Sequence, residues 1–328
     1  MASPGQSSLF TVFSELVSTT FRKHYREIAD NVSTHNALWR RLTEKGRTRI
    51  EDGGLSIVCP LEYATNSTFQ RYSGFDTLNI QAVDVLTAAE YPWRQAAENV
   101  AISGLEIRTN SGESRIVNFV KAKIRNAQNS FKNNMSADIY SDGTTANQIN
   151  GLQAVVADAG TGTVGGINSS TYTFWKCALQ SAASPIQGGG AITVSATTME
   201  SLMLPLWIKL TRGADMPDLI VMDPIYFAYY EQSQTSLKRY TAEDTGKGGM
   251  ISMKYKTADV FFDASSLISA SHAYFLNTDY LELVVHKDAN MTMMDELRSI
   301  NQDAVVTPIL WMGNLACSAR FLQGVMKA

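Results

Sequence analysis

The sequence is poor in the features from which function is usually read. Its 328 residues include three cysteines, Cys59, Cys177 and Cys317, far apart and odd in number. They form no CxxC pair and no disulfide framework, which argues against zinc-ribbon and small secreted classes and fits a reducing compartment. No apolar run reaches the ~18 residues that span a bilayer. The first ten residues (MASPGQSSLF) lack the charged, apolar and small-residue order of a secretory signal. A protein that is neither membrane-inserted nor secreted by the usual route is expected. Internal repeats and low-complexity linkers are also missing. Charged residues make up 18% and apolar residues 45%, a globular balance rather than a disordered one. The net charge of -3 argues neither for nor against nucleic acid.

Most chemistry-bearing patterns fail on inspection. The histidines His24, His35, His272 and His286 have no partners at metal-ligand spacing. No GxSxG elbow is present, whereas Ser-His-Asp or Cys-His sites assembled in space leave no local trace and stay open. Gly246-Lys247-Gly248 lacks the Ser/Thr and the upstream glycine of a phosphate-binding loop. The acid pairs Glu243-Asp244 and Asp295-Glu296 sit beside turn-forming residues, where solvated acids are the ordinary case. One pattern survives as an alternative: Gly160, Gly162 and Gly165 match GxGxxG after an apolar run, the signature of a nucleotide-dependent enzyme. A dinucleotide site also needs a helix opening on the glycines and an acid about twenty residues on. Residues 159–199 contain no Asp or Glu, and Lys176 is their only charge. Gly, Ser and Thr dominate there, as in loops and short strands.

What is present suggests assembly. Residues 9–45 read as a helical arm, with Leu9, Val12, Phe13, Leu16, Val17, Ile28, Val32, Leu38 and Leu42 at helical spacing, ended by Gly46 and Asp52-Gly53-Gly54. From Arg22 to Arg49 there are eight Lys/Arg against three acids. A solvated helix face and a face for phosphate or an acidic neighbour are equally open readings. Residues 55–63 alternate, with Leu55, Ile57, Cys59, Leu61 and Tyr63 on one face, and Pro60 marks an edge strand. Residues 80–102 return extended, with a helix over the alanine-rich 88–97 as the alternative. Between the two lies a polar excursion, 64–79 (ATNSTFQRYSGFDTLN). A hairpin arm with so little apolar content has no core of its own, which makes sense if its partner is another chain.

Asn110 and Glu113 have capping-box spacing, and a helix of roughly 40 Å follows over about 111–138. Its basic face carries Arg115, Lys121, Lys123, Arg125 and Lys132, with no acid from 114 to 137. Further helix is expected near 198–212. A buried strand is expected at Leu219-Ile220-Val221-Met222, then a helix capped by Asp223 with Pro224 at its first position. A flexible loop at 246–249, strands at 260–262, 274–276 and 281–285, and a β-rich end at 305–325 complete the pattern.

The motifs 28–42 (IADNVSTHNALWRRL), 61–79 (LEYATNSTFQRYSGFDTLN), 90–104 (EYPWRQAAENVAISG), Asp142-Gly143-Thr144 leading to Gly151-Leu152, 219–224 (LIVMDP), 259–263 (DVFFD) and 313–325 (GNLACSARFLQGV) follow one another over about 300 residues. In that order the chain resembles the major capsid proteins of tailed bacteriophages, the Hong Kong ninety-seven type of shell fold, and most nearly those of short-tailed phages such as those of Bordetella. The resemblance implies an α+β fold with an amino-terminal arm (1–50), an extended two-stranded loop (51–104), a peripheral domain with a long spine helix (105–145), a mixed axial domain (146–285) and a return to the peripheral domain (286–328). It implies a non-enzymatic structural protein without cofactor, catalytic residue or metal. Copies would form hexamers and pentamers of an icosahedral virion capsid around double-stranded DNA, assembled in the host bacterial cytoplasm. Separate scaffolding and cement or decoration proteins and a portal at one vertex are implied partners; a membrane is not. The interface residues implied are Tyr63, Phe69, Arg71, Tyr72, Phe75 and Asp76 in the loop and Arg40, Arg41, Arg47 and Arg49 in the arm. The five basic residues of the helix would face the interior and touch DNA or scaffold non-specifically. The type member of the family cross-links its shell through a lysine in the loop. No lysine occurs here from residue 46 to 120, so the clamp should be noncovalent. An encapsulin-like nanocompartment shell shares the fold and is the nearest alternative.

Overall fold

A computed structural model of the chain describes residues 37–109, 113–234, 245–246, 250–251, 253–263, 267–294, 297–298 and 301–328. Most of the expected arm helix, the Asn110 cap, His24, His35, the acid pairs at 243–244 and 295–296 and most of the 246–249 loop lie outside the described residues. The chain divides into two compact units.

The larger unit comprises 35–94, 136–287 and 313–328. Its centre is a mixed six-stranded sheet in the order Met253–Tyr255, Ala258–Phe262, Leu219–Met222, His272–Leu276, Gly324–Lys327 and Ala178–Ser181. Leu219–Met222 is buried at every position, as its unbroken apolar run requires of a strand covered on both faces. It pairs parallel with Ala258–Phe262 and antiparallel with His272–Leu276. Helix Met199–Leu210 lays Met199, Leu202, Met203, Leu206, Trp207 and Leu210 into the core, the three-and-four spacing of one helical face. Pro205 lies inside this helix and has no N–H for the Ser201 carbonyl. Gln187 Nε2 donates to that freed oxygen at 3.3 Å. Gly324 lets Leu206 and Leu210 approach the sheet, since a Cβ there would lie 2.7 Å from Leu210 Cδ1.

Helix Pro224–Ser233 begins with proline at its first turn, as expected. Asp223 precedes it, but its side chain does not cap the helix. Being buried, the carboxylate takes the backbone N–H of Ser271 at 3.2 Å instead. The short arm helix Ala37–Glu44 ends where expected, at Gly46 with φ +65°. Arg47 N–H donates back to the Leu42 carbonyl at 2.8 Å, closing the last turn. Residues 86–91 and 94–103 are both strands, so the helical alternative over 88–97 is overturned. Leu55 is fully exposed, and the apolar face of the first strand starts at Ile57.

The smaller unit comprises 95–135 and 288–312 among its described parts. Helix Glu113–Asp138 is 26 residues long, about 39 Å at ~1.5 Å per residue, and belongs to this unit as far as Met135. Ala127 packs with Val100 and Ile309 in a small core flanked by Ile124 and Met291. A six-residue helix, Gly104–Thr109, precedes the long one. This first helix has a capping box of its own: Ser103 N–H donates to Glu106 Oε2 at 2.9 Å and Glu106 N–H to Ser103 Oγ at 3.2 Å. No described helix is long and apolar enough to cross a membrane.

Buried phenols set the alkaline limit of the larger unit. Tyr140 donates to Asp263 Oδ2 at 2.9 Å, and burial holds its pKa well above 10.0. Burial also pushes Tyr226 and Tyr255 up to about 12 and raises Tyr230 and Tyr274. The thiol of Cys317 is pushed to about 12 from 9.0. For such groups the folded state binds more protons than the unfolded one above the unfolded pKa, so stability falls as pH rises. Urea denaturation should give a midpoint that declines progressively from about pH 9 upward. A midpoint that holds or rises between pH 9 and 11 would contradict this account.

Candidate functional site

Strands Ile57–Glu62 and Leu86–Tyr91 form an antiparallel ribbon, with Ile57 opposite Tyr91, Cys59 opposite Ala89 and Leu61 opposite Thr87. The first strand alternates strictly, Ile57, Cys59 and Leu61 buried and Val58, Pro60 and Glu62 exposed. The buried face joins Val164, Trp175, Val284 and Ala316 in one cluster. The lower half of the hairpin therefore belongs to the core of its own unit.

Polar contacts root it there. Tyr91 Oη donates to the Cys317 carbonyl at 2.9 Å and accepts the Cys317 N–H at 3.2 Å. Asn314 Nδ2 donates to the Pro92 carbonyl at 2.8 Å, while its Oδ1 accepts the Asn150 N–H at 2.8 Å. Glu90 N–H donates to the Gly165 carbonyl at 3.0 Å. The indole of Trp175 donates to Val164, and the buried guanidinium of Arg320 holds the carbonyls of Trp175 and Val155 and the hydroxyl of Ser169. Cys59, Cys177 and Cys317 are buried and free.

The GxGxxG glycines serve this anchorage. Gly165 and Gly166, with φ +59° and +76°, turn the hairpin between strands Thr163–Val164 and Ile167–Asn168. Two positive φ values are what a two-residue turn of this kind demands. A Cβ on Gly165 would lie 2.7 Å from Ala89 Cβ. No helix opens on these glycines, so the requirement for a dinucleotide site is not met. A cavity beside them is lined by Glu90, Asp142, Asn150, Gln153 and Asp158. Among the described residues no three His, Cys, Asp or Glu side chains are placed to hold a metal.

Above the ribbon the chain leaves its core. Tyr63 N–H donates to Val85 at 3.0 Å and its ring meets Phe174 at 5.8 Å, forming a neck. Beyond it Phe69, Tyr72 and Phe75 are 83%, 65% and 108% exposed, with Leu78 and Ile80 also exposed. Arg71 is exposed beside them, and Asp76 Oδ2 accepts the Ser73 N–H at 2.8 Å. The loop candidates thus occupy one excursion, with Tyr63 at its neck and the other five at its tip.

The four arm arginines singled out, Arg40, Arg41, Arg47 and Arg49, each have intrachain acids. Arg40 pairs with Glu44, Arg41 with Asp259 and Asp218, Arg47 with Asp279, and Arg49 with Glu51 and Glu282. Lys45, not singled out in the sequence, reaches Asp218 at 2.6 Å. Asp218 also takes the N–H and hydroxyl of Thr278. On the long helix, Arg125 and Lys132 are exposed and Lys123 lies 4.0 Å from Glu106. The side chains of Arg115 and Lys121 lie outside the described residues.

No protein-family model matches the chain, and no curated protein is significantly similar to it in sequence. Solved structures match along nearly its whole length. The capsid protein of cyanophage A-1(L) superposes with a TM-score of 0.63 at 16% identity, covering 92% of this chain and 94% of that one. The capsid of a native GTA particle gives 0.58 at 10% identity over 95% and 98%. The encapsulin SrpI from Synechococcus elongatus PCC 7942, in its holo complex, gives 0.55 at 9% identity over 92% and 91%. A rooted hairpin with an uncovered tip, a long helix and a mixed six-stranded sheet in this order place the chain in the α+β shell fold of tailed-phage capsid proteins.

Proposed function

We propose that this chain is the major capsid protein of a tailed phage, of the kind found in short-tailed phages such as those of Bordetella. Copies associate as hexamers and pentamers into an icosahedral virion shell, assembled in the host bacterial cytoplasm around double-stranded DNA. The carrying observation is the excursion 63–85: rooted in its own core below the neck, yet presenting Phe69, Tyr72 and Phe75 to solvent above it. Singly exposed apolar residues are ordinary, but several on one coreless projection mark a contact surface. The shell fold supplies the partner, a second copy of the same chain. Many repeated interfaces of modest strength then close the shell cooperatively.

In this reading 1–50 is the arm, 51–104 the extended loop, 105–145 the spine, 146–285 the axial domain and 286–328 the return. Tyr63, Phe69, Arg71, Tyr72, Phe75 and Asp76 form the clamp. Arg40, Arg41, Arg47 and Arg49 belong to the same interface by fixing the course of the arm. Arg115, Lys121, Lys123, Arg125 and Lys132 give the spine an inner basic face for phosphate. Separate scaffolding and cement proteins and a portal complete the particle. The likeness to SrpI favours a second reading, an encapsulin-like compartment, which differs in holding enzyme cargo instead of a genome.

Electron microscopy of the expressed protein tests the class. Shells, hexamers or tubes are expected, and a clean monomer at high concentration would defeat the proposal. Nuclease-protected double-stranded DNA inside native particles favours the phage reading, and a packaged enzyme the encapsulin reading. The lysine-free loop gives a second expectation. Shells boiled in SDS should run wholly as the 36.0 kDa monomer, whereas a ladder of covalent oligomers would contradict noncovalent clamping. Replacing Arg71 and Asp76 together with alanine should raise the protein concentration needed for assembly several-fold, a few contacts of ~0.5–1 kcal/mol each, and leave subunit melting unchanged. Unaltered assembly would remove these two from the clamp.

A further inference from the structure

Of residues 62–82 all are exposed except two, Thr68 and Gln70, which are partly covered. Gln70 is covered because it bridges the excursion. Its Nε2 donates to the Thr77 carbonyl at 2.8 Å, and its Oε1 accepts the Asn79 N–H at 3.2 Å. One side-chain amide thus spans the two limbs of the tip, in the manner of a paired backbone amide. Inside this span, Ser73 and Asp76 close a tight turn: Asp76 N–H donates to the Ser73 carbonyl at 3.2 Å and Ser73 N–H to Asp76 Oδ2 at 2.8 Å. Gly74 sits in that turn with φ +55°. At the two flanks Asn66 Oδ1 takes Thr68 N–H at 2.9 Å and Asn79 Oδ1 takes Gln81 N–H at 3.1 Å.

The tip is therefore organised entirely by polar bonds, while its apolar rings stay outside. This is the inverse of a domain, which hides its apolar groups and exposes its polar ones. A segment built this way is shaped before it meets a partner, so less ordering entropy is lost on docking. We propose that residues 66–81 are a preformed knob, locked by the Gln70 amide, that docks as a unit on a second copy of this chain. The proposal rests on the capsid reading for its partner. Gln70 is a positioning residue: it presents Phe69, Tyr72 and Phe75 without itself supplying the apolar contact.

The test compares wild type with Gln70→Ala and Gln70→Glu in the full chain. Glutamate keeps the acceptor for Asn79 N–H and loses the donor to Thr77. Three quantities are read: chymotryptic cleavage at the tip in subunits held below the assembly concentration, the concentration at which shells first form, and the melting temperature of the subunit. For Gln70→Ala we expect cleavage and the assembly concentration each to rise about fivefold, the combined equilibrium weight of two exposed hydrogen bonds at the weak end of their range. Gln70→Glu should fall between, and melting should not move, because the tip contributes no core. Unchanged cleavage would show that Gln70 does not lock the tip. Faster cleavage with unchanged assembly would show that the tip does not dock as a preformed unit. If wild type forms no shells at any concentration, the capsid reading fails, whereas the cleavage comparison still decides the lock.

Discussion

The structure turns on an unequal burial along one β-ribbon. A strand exposes alternate side chains to opposite faces, so an apolar set at Ile57, Cys59 and Leu61 must find a surface to cover it. Below the neck that surface exists in Trp175, Val164, Val284 and Ala316. Each large side chain buried there stabilises by about 1.5–3 kcal/mol. A one-residue slip would turn the whole set to solvent, and the two hydrogen bonds between Tyr91 and Cys317 hold the register from the other strand. Above the neck no described residue of the same unit buries the chain. The same ribbon is thus a core element at one end and an unpartnered surface at the other.

The surroundings follow from keeping that root fixed. The diglycine turn allows the Thr163–Asn168 hairpin to press against Ala89 and Tyr91, where any Cβ on Gly165 would collide. Arg320, wholly buried, holds two carbonyls and a hydroxyl of neighbouring loops. Replacing it would leave the carbonyls of Val155 and Trp175 without that donor, at about 1–3 kcal/mol apiece. On the other side, Arg41, Lys45 and Arg47 gather Asp218, Asp259 and Asp279 into one network that ties the arm helix to the sheet strands. Half-exposed pairs of this kind contribute little singly, so their effect is to fix direction more than to add stability.

Much of this was legible in the sequence because it is encoded locally. The alternation at 57–61, the apolar run 219–222, Pro224 at a helix start and the three-and-four spacing of the long helix each declare their structure within a few residues. That residues 64–79 build no core of their own was legible too, in a polar stretch whose few rings follow neither strand nor helix spacing. What was not legible depends on distant partners. Asp223 has the sequence context of a cap, yet its carboxylate turns to Ser271, 48 positions on. The arm arginines look like free charges until Asp259 and Glu282 are brought beside them. The GxGxxG pattern is a turn, because the segment after it pairs back as a strand instead of opening a helix. The capping box at Ser103 and Glu106 was missed, because the helix it opens is only six residues long and has no apolar periodicity to announce it.

If the excursion is the clamp proposed above, its exposed tip at residues 69–82 becomes covered by another copy on assembly. Hydrogen–deuterium exchange, measured peptide by peptide on free subunits and on assembled particles, tests it most directly. The account predicts that amides of the tip exchange rapidly in the free subunit and become strongly protected on assembly, while those of the ribbon at 57–61 and 87–91 are protected in both. A tip that exchanges equally fast in free and assembled protein would contradict it.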